Sequence, residues 1–464
     1  MQAPRKKAVL VGIQLPKVPD QELQSSVGEL SRLVHTLGYE VIGSMSQKRS
    51  HLSGAVVVGE GKLRELAEWT GGPGKVMPTL EVKKHRAAER WAAEEAEASG
   101  SVEEEAAEEE DLSSDEGPAA GQKADVIVFD CELTPSQLRN LESATGATVL
   151  DRTGVIIEIF SRHARTRAAQ LQVEIARLAY LAPRIRETGT GADRQGGGIG
   201  GKGAGETSAE LDRRRIRDRI KELRNELESV QAENSIRRAR RSGENCVALV
   251  GYTNAGKSSL MRAMTGSEIL VADKLFATLE TTVRPLYPES MPRVLLSDTV
   301  GFIKKLPHDL VASFRSTLDE ALNADLLFYV VDSSDPSFRS QLAVTQEVLK
   351  EIGAHETPSR LLLNKRDRLS DEEARALREE FPDAIFLSTR DKGDLAQLRE
   401  TMLSFFEKDM VEEDLVIPYS TQGAIGEIRE HMRVLTESYD ERGTRFRVRA
   451  RPEILARVRR RYDI

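Results

Sequence analysis

Residues 251–258 read Gly-Tyr-Thr-Asn-Ala-Gly-Lys-Ser and follow the apolar run Cys246-Val247-Ala248-Leu249-Val250. A strand-length apolar run, then G-x-x-x-x-G-K-S, then a helix-compatible segment predicts a strand–loop–helix phosphate cradle set in an open α/β sheet. The glycines let backbone N–H groups turn inward where a Cβ would obstruct their approach to phosphate oxygens. Lys257 brings a point charge to the β- and γ-phosphates, Ser258 is placed to ligate Mg²⁺, and the following helix points its positive end at the anion. The whole octet, Gly251, Tyr252, Thr253, Asn254, Ala255, Gly256, Lys257 and Ser258, is therefore a predicted nucleotide-binding segment.

Further motifs follow in the order such a site requires. Val294-Leu295-Leu296-Ser297 leads into Asp298-Thr299-Val300-Gly301, a D-x-x-G at a predicted strand end. There the Asp holds the Mg²⁺ shell through water and the Gly301 N–H reaches the γ-phosphate. Leu361-Leu362-Leu363 leads into Asn364-Lys365-Arg366-Asp367. A carboxylate at Asp367 can accept from both N1–H and the exocyclic amine of guanine, a donor pair that adenine lacks, so GTP and GDP are the predicted ligands. Ala384-Ile385-Phe386-Leu387 delivers Ser388-Thr389-Arg390, placed like the loop whose backbone supports guanine O6. Between the P-loop and Asp298 lies Leu275-Phe276-Ala277-Thr278-Leu279-Glu280-Thr281-Thr282. Phe276, Ala277, Thr278, Leu279 and Glu280 are predicted to face the nucleotide. Thr278 is favoured as the γ-phosphate sensor and metal ligand because F-x-T-L resembles the switch of bacterial translation-factor-related GTPases. Thr281 and Thr282 read as loop or strand-edge hydroxyls. Lys257, Thr278 and Gly301 form the predicted catalytic set.

Phe302 stands where many GTPases place a water-orienting glutamine. Its ring cannot orient water, so hydrolysis by the isolated chain is predicted to be slow, and a purely packing role for Phe302 has the same consequence. His308 reads as a substitute water-positioner or as a solvent-facing loop residue. The Asn254 amide oxygen is either a ligand for K⁺ beside the phosphates or a turn-stabilising group.

The net charge of −8 is misleading. Residues 92–116 hold twelve Asp and Glu and no Lys or Arg, and the rest of the chain carries +4. An Ala/Glu/Ser block of this kind cannot bury a core; it reads as an insertion at about 92–121, since strand patterns flank it. Cys131 and Cys246 lack metal-ligand spacing and adjoin apolar runs, which predicts buried free thiols in a reducing cytoplasm. Neither a signal peptide nor an apolar stretch of membrane-spanning length is evident, and a cytoplasmic monomer is expected.

Upstream, strand signals at Ala8–Gly12, Glu40–Ile42, Ala55–Gly59, Asp125–Phe129 and Ala147–Leu150 alternate with helices at Leu23–Leu37 and from near Pro135. This alternation predicts a small parallel α/β domain over 1–153. Gly59-Glu60-Gly61-Lys62 reads as a plain turn into a helix. A helical pattern from about Ile156 to Leu181, a glycine-rich stretch at 194–207 and a second helix from Ser208 to Arg241 predict a helical hairpin over 154–241. Arg194 and Lys202 near its tip, with Arg213 and Arg214 on the second helix, are candidate RNA contacts; a flexible linker with solvated charge is the alternative. The P-loop domain is assigned to 242–408. Leu415–Pro418, a helix at Gly423–Leu435 and a strand at Thr444–Arg449 predict a small α+β domain over 409–464.

Taken together, Asp151-Arg152-Thr153-Gly154, Ala164-Arg165-Thr166-Arg167, Leu171-Gln172-Val173-Glu174, Gly196–Gly200, Gly203–Thr207, the P-loop octet and Asp298–Ile303 resemble the HflX-type GTPases from about residue 7 onward. The acidic block departs from the family pattern, as does Thr281 where a proline is common. The resemblance implies a Mg²⁺-dependent GTPase that binds the large ribosomal subunit and, with GTP bound, splits stalled or idle ribosomes under stress. It implies that the glycine-rich loop is the RNA-proximal tip. A GTP-controlled ribosome-assembly factor and a GTP-dependent protein adaptor are the alternatives.

Overall fold

Residues Lys7–Gln14 form strand β1, buried along nearly its whole length. A strand apolar on both faces belongs inside a parallel sheet covered by helices, and β1 occupies that position. The structure, a computed structural model, describes residues 5–76, 123–185, 208–239, 244–266, 275–276, 281–305, 320–408 and 410–462. The acidic stretch at 92–121, Arg194, Lys202, the segment Ala277, Thr278, Leu279 and Glu280, and His308 lie outside them. The chain divides into two compact units, Met1–Arg162 with Arg177–Arg219, and His163–Ala176 with Ile220–Ile464.

In the first unit β2 (Glu40–Lys48), β1, β3 (Val126–Phe129) and β4 (Thr148–Asp151) form a four-stranded parallel sheet in the order β2-β1-β3-β4. Helices α1 (Asp20–Thr36), α2 (Glu60–Thr70) and α3 (Pro135–Thr145) lie in the crossovers, and α4 (Arg152–His163) follows β4. Val9, Val11, Ile127 and Phe129 pack with Leu63, Leu66, Trp69 and Leu141 in one apolar cluster. A capping box between Thr134 and Gln137, with Pro135 in the first turn, sets the start of α3.

The strand expected at Ala55–Gly59 is not one; these residues form bends leading into α2. Val57 and Val58 are buried, which explains their apolar character, but side chains answer the local backbone groups. Asn140 donates to Ala55 O, Gln137 to Leu52 O and Gly54 O, and Gly59 N donates to Gln47. The continuous helical pattern from Ile156 is also interrupted. It forms α4 and α5 (Arg167–Leu181), with the Thr166 hydroxyl accepting from Ala169 N at the second start. A 32-residue helix, α6 (Ser208–Ala239), follows, and Arg167 near the start of α5 pairs with Glu226 at 2.8 Å.

The second unit holds a six-stranded sheet. Its strands β5 (Asn245–Val250), β6 (Thr282–Pro285), β7 (Val294–Asp298), β8 (Leu326–Asp332), β9 (Ser359–Asn364) and β10 (Ile385–Phe386) lie in the order β10-β9-β8-β5-β7-β6. All pairings are parallel except β6 with β7. Helices α7 (Lys257–Thr265), α8 (Phe338–Glu351), α9 (Asp371–Glu380) and α10 (Lys392–Glu407) connect them. Carboxyl ends of β5, β7, β8 and β9 therefore share one edge, the ligand-binding edge of open α/β sheets.

Beyond it, β11 (Val411–Ile417), α11 (Gln422–His431), β12 (Arg433–Asp440), β13 (Gly443–Ala450) and α12 (Pro452–Tyr462) build an antiparallel sheet ordered β11-β13-β12, with two helices. The helix expected to reach Leu435 stops at His431, and Arg433–Asp440 is a strand instead. Its pairing with β13 through a tight turn, where Asp440 Oδ1 accepts from Arg442 N and Gly443 N, overrides local helical pattern. Cys131 and Cys246 are not joined in a disulfide, and they are half-buried rather than buried as the sequence suggested.

Candidate nucleotide site

The P-loop turns where its glycines allow it. Gly251 and Gly256 have φ of 153° and 98°, and Cβ atoms there would come within 2.2 Å of Val330 O and Asn364 Nδ2. Helix α7 begins at Lys257 directly after this left-handed Gly256, aiming its first N–H groups into the loop. Asn254 at the loop tip is exposed, with φ of 61°. Lys257 is buried, and its Nζ donates to Gly251 O at 2.9 Å and Tyr252 O at 2.8 Å. Burial pulls its ammonium down to about 8, against an opposing pull from Asp298. Burial likewise raises the Asp298 carboxyl, offset by Lys257 and by the Ser258 hydroxyl.

Ser258 Oγ donates to Asp298 Oδ2 at 2.7 Å, joining the P-loop helix to the end of β7. The other oxygen, Asp298 Oδ1, is buried without a hydrogen-bond partner among the described residues, as are Thr253 Oγ1 and Asn364 Oδ1. Thr299 turns its hydroxyl back to Leu249 O at 2.7 Å, so that side chain braces β5 against β7. Val300 is buried beside it. Gly301 lies close over the loop; a Cβ there would stand 2.9 Å from Thr253 Cα and 3.0 Å from Lys257 Nζ.

Phe302 is buried, in accord with a packing role, and its backbone continues the join between segments. Phe302 N donates to Gly251 O at 3.1 Å, and Thr253 N donates to Phe302 O at 2.8 Å. The Tyr252 hydroxyl accepts from Lys304 N at 2.6 Å. Phe276, with φ of 57°, is buried.

At the other end, Asn364 Nδ2 donates to Ala255 O at 2.8 Å, and Lys365 Nζ donates to Asn254 O at 2.9 Å and Asp332 Oδ2 at 2.7 Å. Asp367 Oδ1 accepts from Ser388 Oγ at 2.7 Å, which holds its carboxyl below the usual range, with Arg390 at 3.6 Å assisting. Arg366 turns its guanidinium away, to Asp391 at 2.8 Å and Asp394 at 2.7 Å. Thr389 is half-buried between Ser388 and the exposed Arg390. A cleft of about 640 Å³ opens beside Arg366, Asp367, Phe386, Ser388 and Arg390.

The structure thus brings the P-loop, Asp298–Gly301, Asn364–Asp367 and Ser388–Arg390 to one sheet edge. Arg213 and Arg214 belong to α6. Two acidic residues at the edge were not among those singled out from sequence. Asp394 Oδ2 accepts from Ser388 N at 2.8 Å, and Asp332 ends β8. The run Leu326-Leu327-Phe328-Tyr329-Val330-Val331-Asp332 has the same apolar-then-Asp grammar as Val294–Asp298 and is the signal that could have found Asp332.

Three family models match: "GTP-binding GTPase N-terminal" at residues 24–74 and 109–161, "GTP-binding GTPase Middle Region" at 163–241, and "50S ribosome-binding GTPase" at 246–365. The chain is 56% identical to the GTPase HflX of Gluconacetobacter diazotrophicus over 98% of its own length and 97% of that protein's. It is 36% identical to the GTPase HflX of Caldanaerobacter subterraneus subsp. tengcongensis, covering 98% of this chain and 93% of that one. Among solved structures, it is similar to a GDP-bound GTP-binding protein from Sulfolobus solfataricus at 22% identity and a TM-score of 0.42, over 86% of this chain and 98% of that one. With two relatives matching along almost their whole length, and with a P-loop, a D-x-x-G and an N-K-x-D meeting at one sheet edge, this chain belongs to the HflX family of GTPases and hydrolyses GTP.

Proposed function

We propose that this chain is a Mg²⁺-dependent GTPase of the cytoplasm that binds the large ribosomal subunit and, with GTP bound, splits stalled or idle ribosomes, notably under stress. The observation that carries the reading is the likeness of residues 246–365 to a model described as a 50S ribosome-binding GTPase, laid over a site of the right chemistry. The N–H groups at the start of α7 and the Lys257 ammonium bind the β- and γ-phosphates, and the Gly301 N–H contacts the γ-phosphate. Asp367 accepts from guanine while Asn364 and Lys365 hold its loop against the P-loop; the Ser388–Arg390 backbone supports O6.

Ser258 and Asp298 suit Mg²⁺. They present hard oxygen donors, and Asp298 Oδ1, buried and without a partner among the described residues, has a lone pair to offer a metal-bound water. When bound, that ion neutralises charge on the β- and γ-oxygens. Thr278 is the proposed switch ligand. The Asn254 amide oxygen is a proposed K⁺ ligand, and equal hydrolysis rates in KCl and NaCl would remove it. Phe302, buried and without a polar atom, leaves the attacking water unoriented by its side chain, so turnover is slow until the ribosome supplies what is missing. Arg213 and Arg214 of α6, with Arg194 and Lys202, are the proposed RNA contacts, made by a monomer.

Sucrose-gradient sedimentation of intact ribosomes tests this. With GTP or a non-hydrolysable analogue, the chain should migrate with large subunits and intact ribosomes should decrease. Absence of ribosome association under both conditions would reject the proposal. Binding only to immature subunits would favour an assembly role instead.

A further inference from the structure

We infer that Asp332 is a positioning residue for guanine-nucleotide binding, acting by holding the Lys365 side chain in place across the P-loop. This rests on the reading that the Asn364–Asp367 loop receives the guanine base. Lys365 leaves the end of β9 in a left-handed conformation, φ 62°, and reaches back over the P-loop tip. Its Nζ is fixed at two points, Asn254 O at 2.9 Å and Asp332 Oδ2 at 2.7 Å. The carboxylate is itself anchored: Asp332 Oδ1 accepts from Ser334 N at 3.1 Å and Ser334 Oγ at 2.6 Å. One residue along, Ser333 N and Oγ both donate to Asn364 O, at 3.0 and 2.6 Å. The exit of β8 therefore holds the first two residues of the N-K-x-D tetrad.

The physics favours a role in binding rather than in stability alone. The Lys365 and Asp332 side chains are 17% and 16% exposed, so their pair is screened less than an ion pair at the open surface. A free lysine stem keeps considerable rotamer freedom, and ordering it when a ligand arrives opposes binding. Tied at its tip beforehand, the four-methylene stem is already a fixed wall beside the P-loop when the base arrives. Since the anchored group is at the base end, GTP and GDP should benefit equally, and the phosphoryl-transfer step should not sense it.

Equilibrium and stopped-flow binding of GTP and of GDP to the full chain, together with kcat at saturating GTP, tests this on four variants: Asp332→Ala, Asp332→Asn, Lys365→Ala and the Asp332→Ala/Lys365→Ala pair. Asp332→Ala should raise Kd for GTP and GDP by the same factor, about 10-fold, through faster dissociation. The value of kcat should stay the same. Asp332→Asn, which keeps an oxygen acceptor and folds if the shape alone matters, should recover part of the loss. The double variant should bind no more weakly than Lys365→Ala, because Asp332 acts through that lysine. Unchanged Kd in both Asp332 variants, additive losses in the double variant, or a fall in kcat with Kd preserved would each overturn the inference. Asp367→Asn separates the two layers. If it leaves GDP affinity intact, the guanine-site reading fails, whereas a normal Asp367→Asn loss beside a silent Asp332 leaves that reading standing and removes only the role of Asp332.

Discussion

Each unit carries a parallel or mainly parallel sheet whose carboxyl edge is set with aspartates, and the units differ in whether every one of those carboxylates is satisfied within the fold. In the first unit, Asp130 and Asp151 are closed off internally. Asp130 accepts from Arg152 at 2.7 Å and Ser26 at 2.6 Å, and Arg152 also pairs with Glu29. Asp151 takes Gly154 N at 2.7 Å, the Tyr180 hydroxyl at 2.8 Å, Arg184 at 3.0 Å and Leu133 N at 3.3 Å. Burial, with the Asp151 charge adding to it, drives the Tyr180 phenol upward, so it remains a donor. In the second unit Asp298 accepts from Ser258 at one oxygen and keeps the other buried and, among the described residues, unpaired, next to a lysine whose own burial disfavours its charge. One edge has converted its carboxylates into folding contacts. The other retains electrostatic frustration that a phosphate and a cation can relieve, as functional sites often do.

Substitutions can break this comparison, since the first edge should fail in stability and the second in activity. The largest effect is expected from Arg152→Ala, which removes the buried cation that neutralises Glu29 and Asp130. The first urea transition should lose about 3–5 kcal/mol, with GTP affinity of the folded chain retained. A loss below about 1 kcal/mol would place that cluster with ordinary surface pairs and end the contrast. Lys257→Ala should do the reverse. Steady-state GTP hydrolysis should fall by roughly 10²- to 10³-fold while the urea transitions hold their position, because the lost charge stabilises the reaction rather than the apo fold. A drop in stability to match would mean that Lys257 is mainly a strut for Gly251 O and Tyr252 O. The smallest effect sharpens the account of the second edge. Tyr252→Phe removes the acceptor for Lys304 N and should lower thermal stability by ~1 kcal/mol. Hydrolysis that changes without any shift in melting would instead make this hydroxyl part of the switch.

How much could be read in advance depended on how far apart along the chain the partners lie. The P-loop, the two tetrads, α1, α3 and strands β5, β7, β9 and β10 were legible because each is a local pattern, whereas β6 and β8 were not read. A phosphate cradle is built from consecutive backbone amides, and an apolar run marks a strand buried on both faces. Ala55–Gly59 misled for the same reason: Val57 and Val58 are apolar because they fill the core, but the carbonyls of Leu52 and Ala55 beside them are answered by α3 side chains 85 residues away. At Arg433–Leu435 the helical period was real, yet pairing with β13 decided the outcome.

From its sequence alone, this chain's ligand class and the order of its motifs were determined, because binding a guanine nucleotide needs particular residues at short, fixed spacings. Only the tertiary structure decided which charges are left for a ligand and which are consumed within the fold. Arg152 reaches Glu29 across 123 residues, and Asp332 reaches Lys365 across 33. Whether a carboxylate is neutralised from within or left waiting depends on what the fold carries into hydrogen-bonding distance, and neither its spacing nor its composition records that.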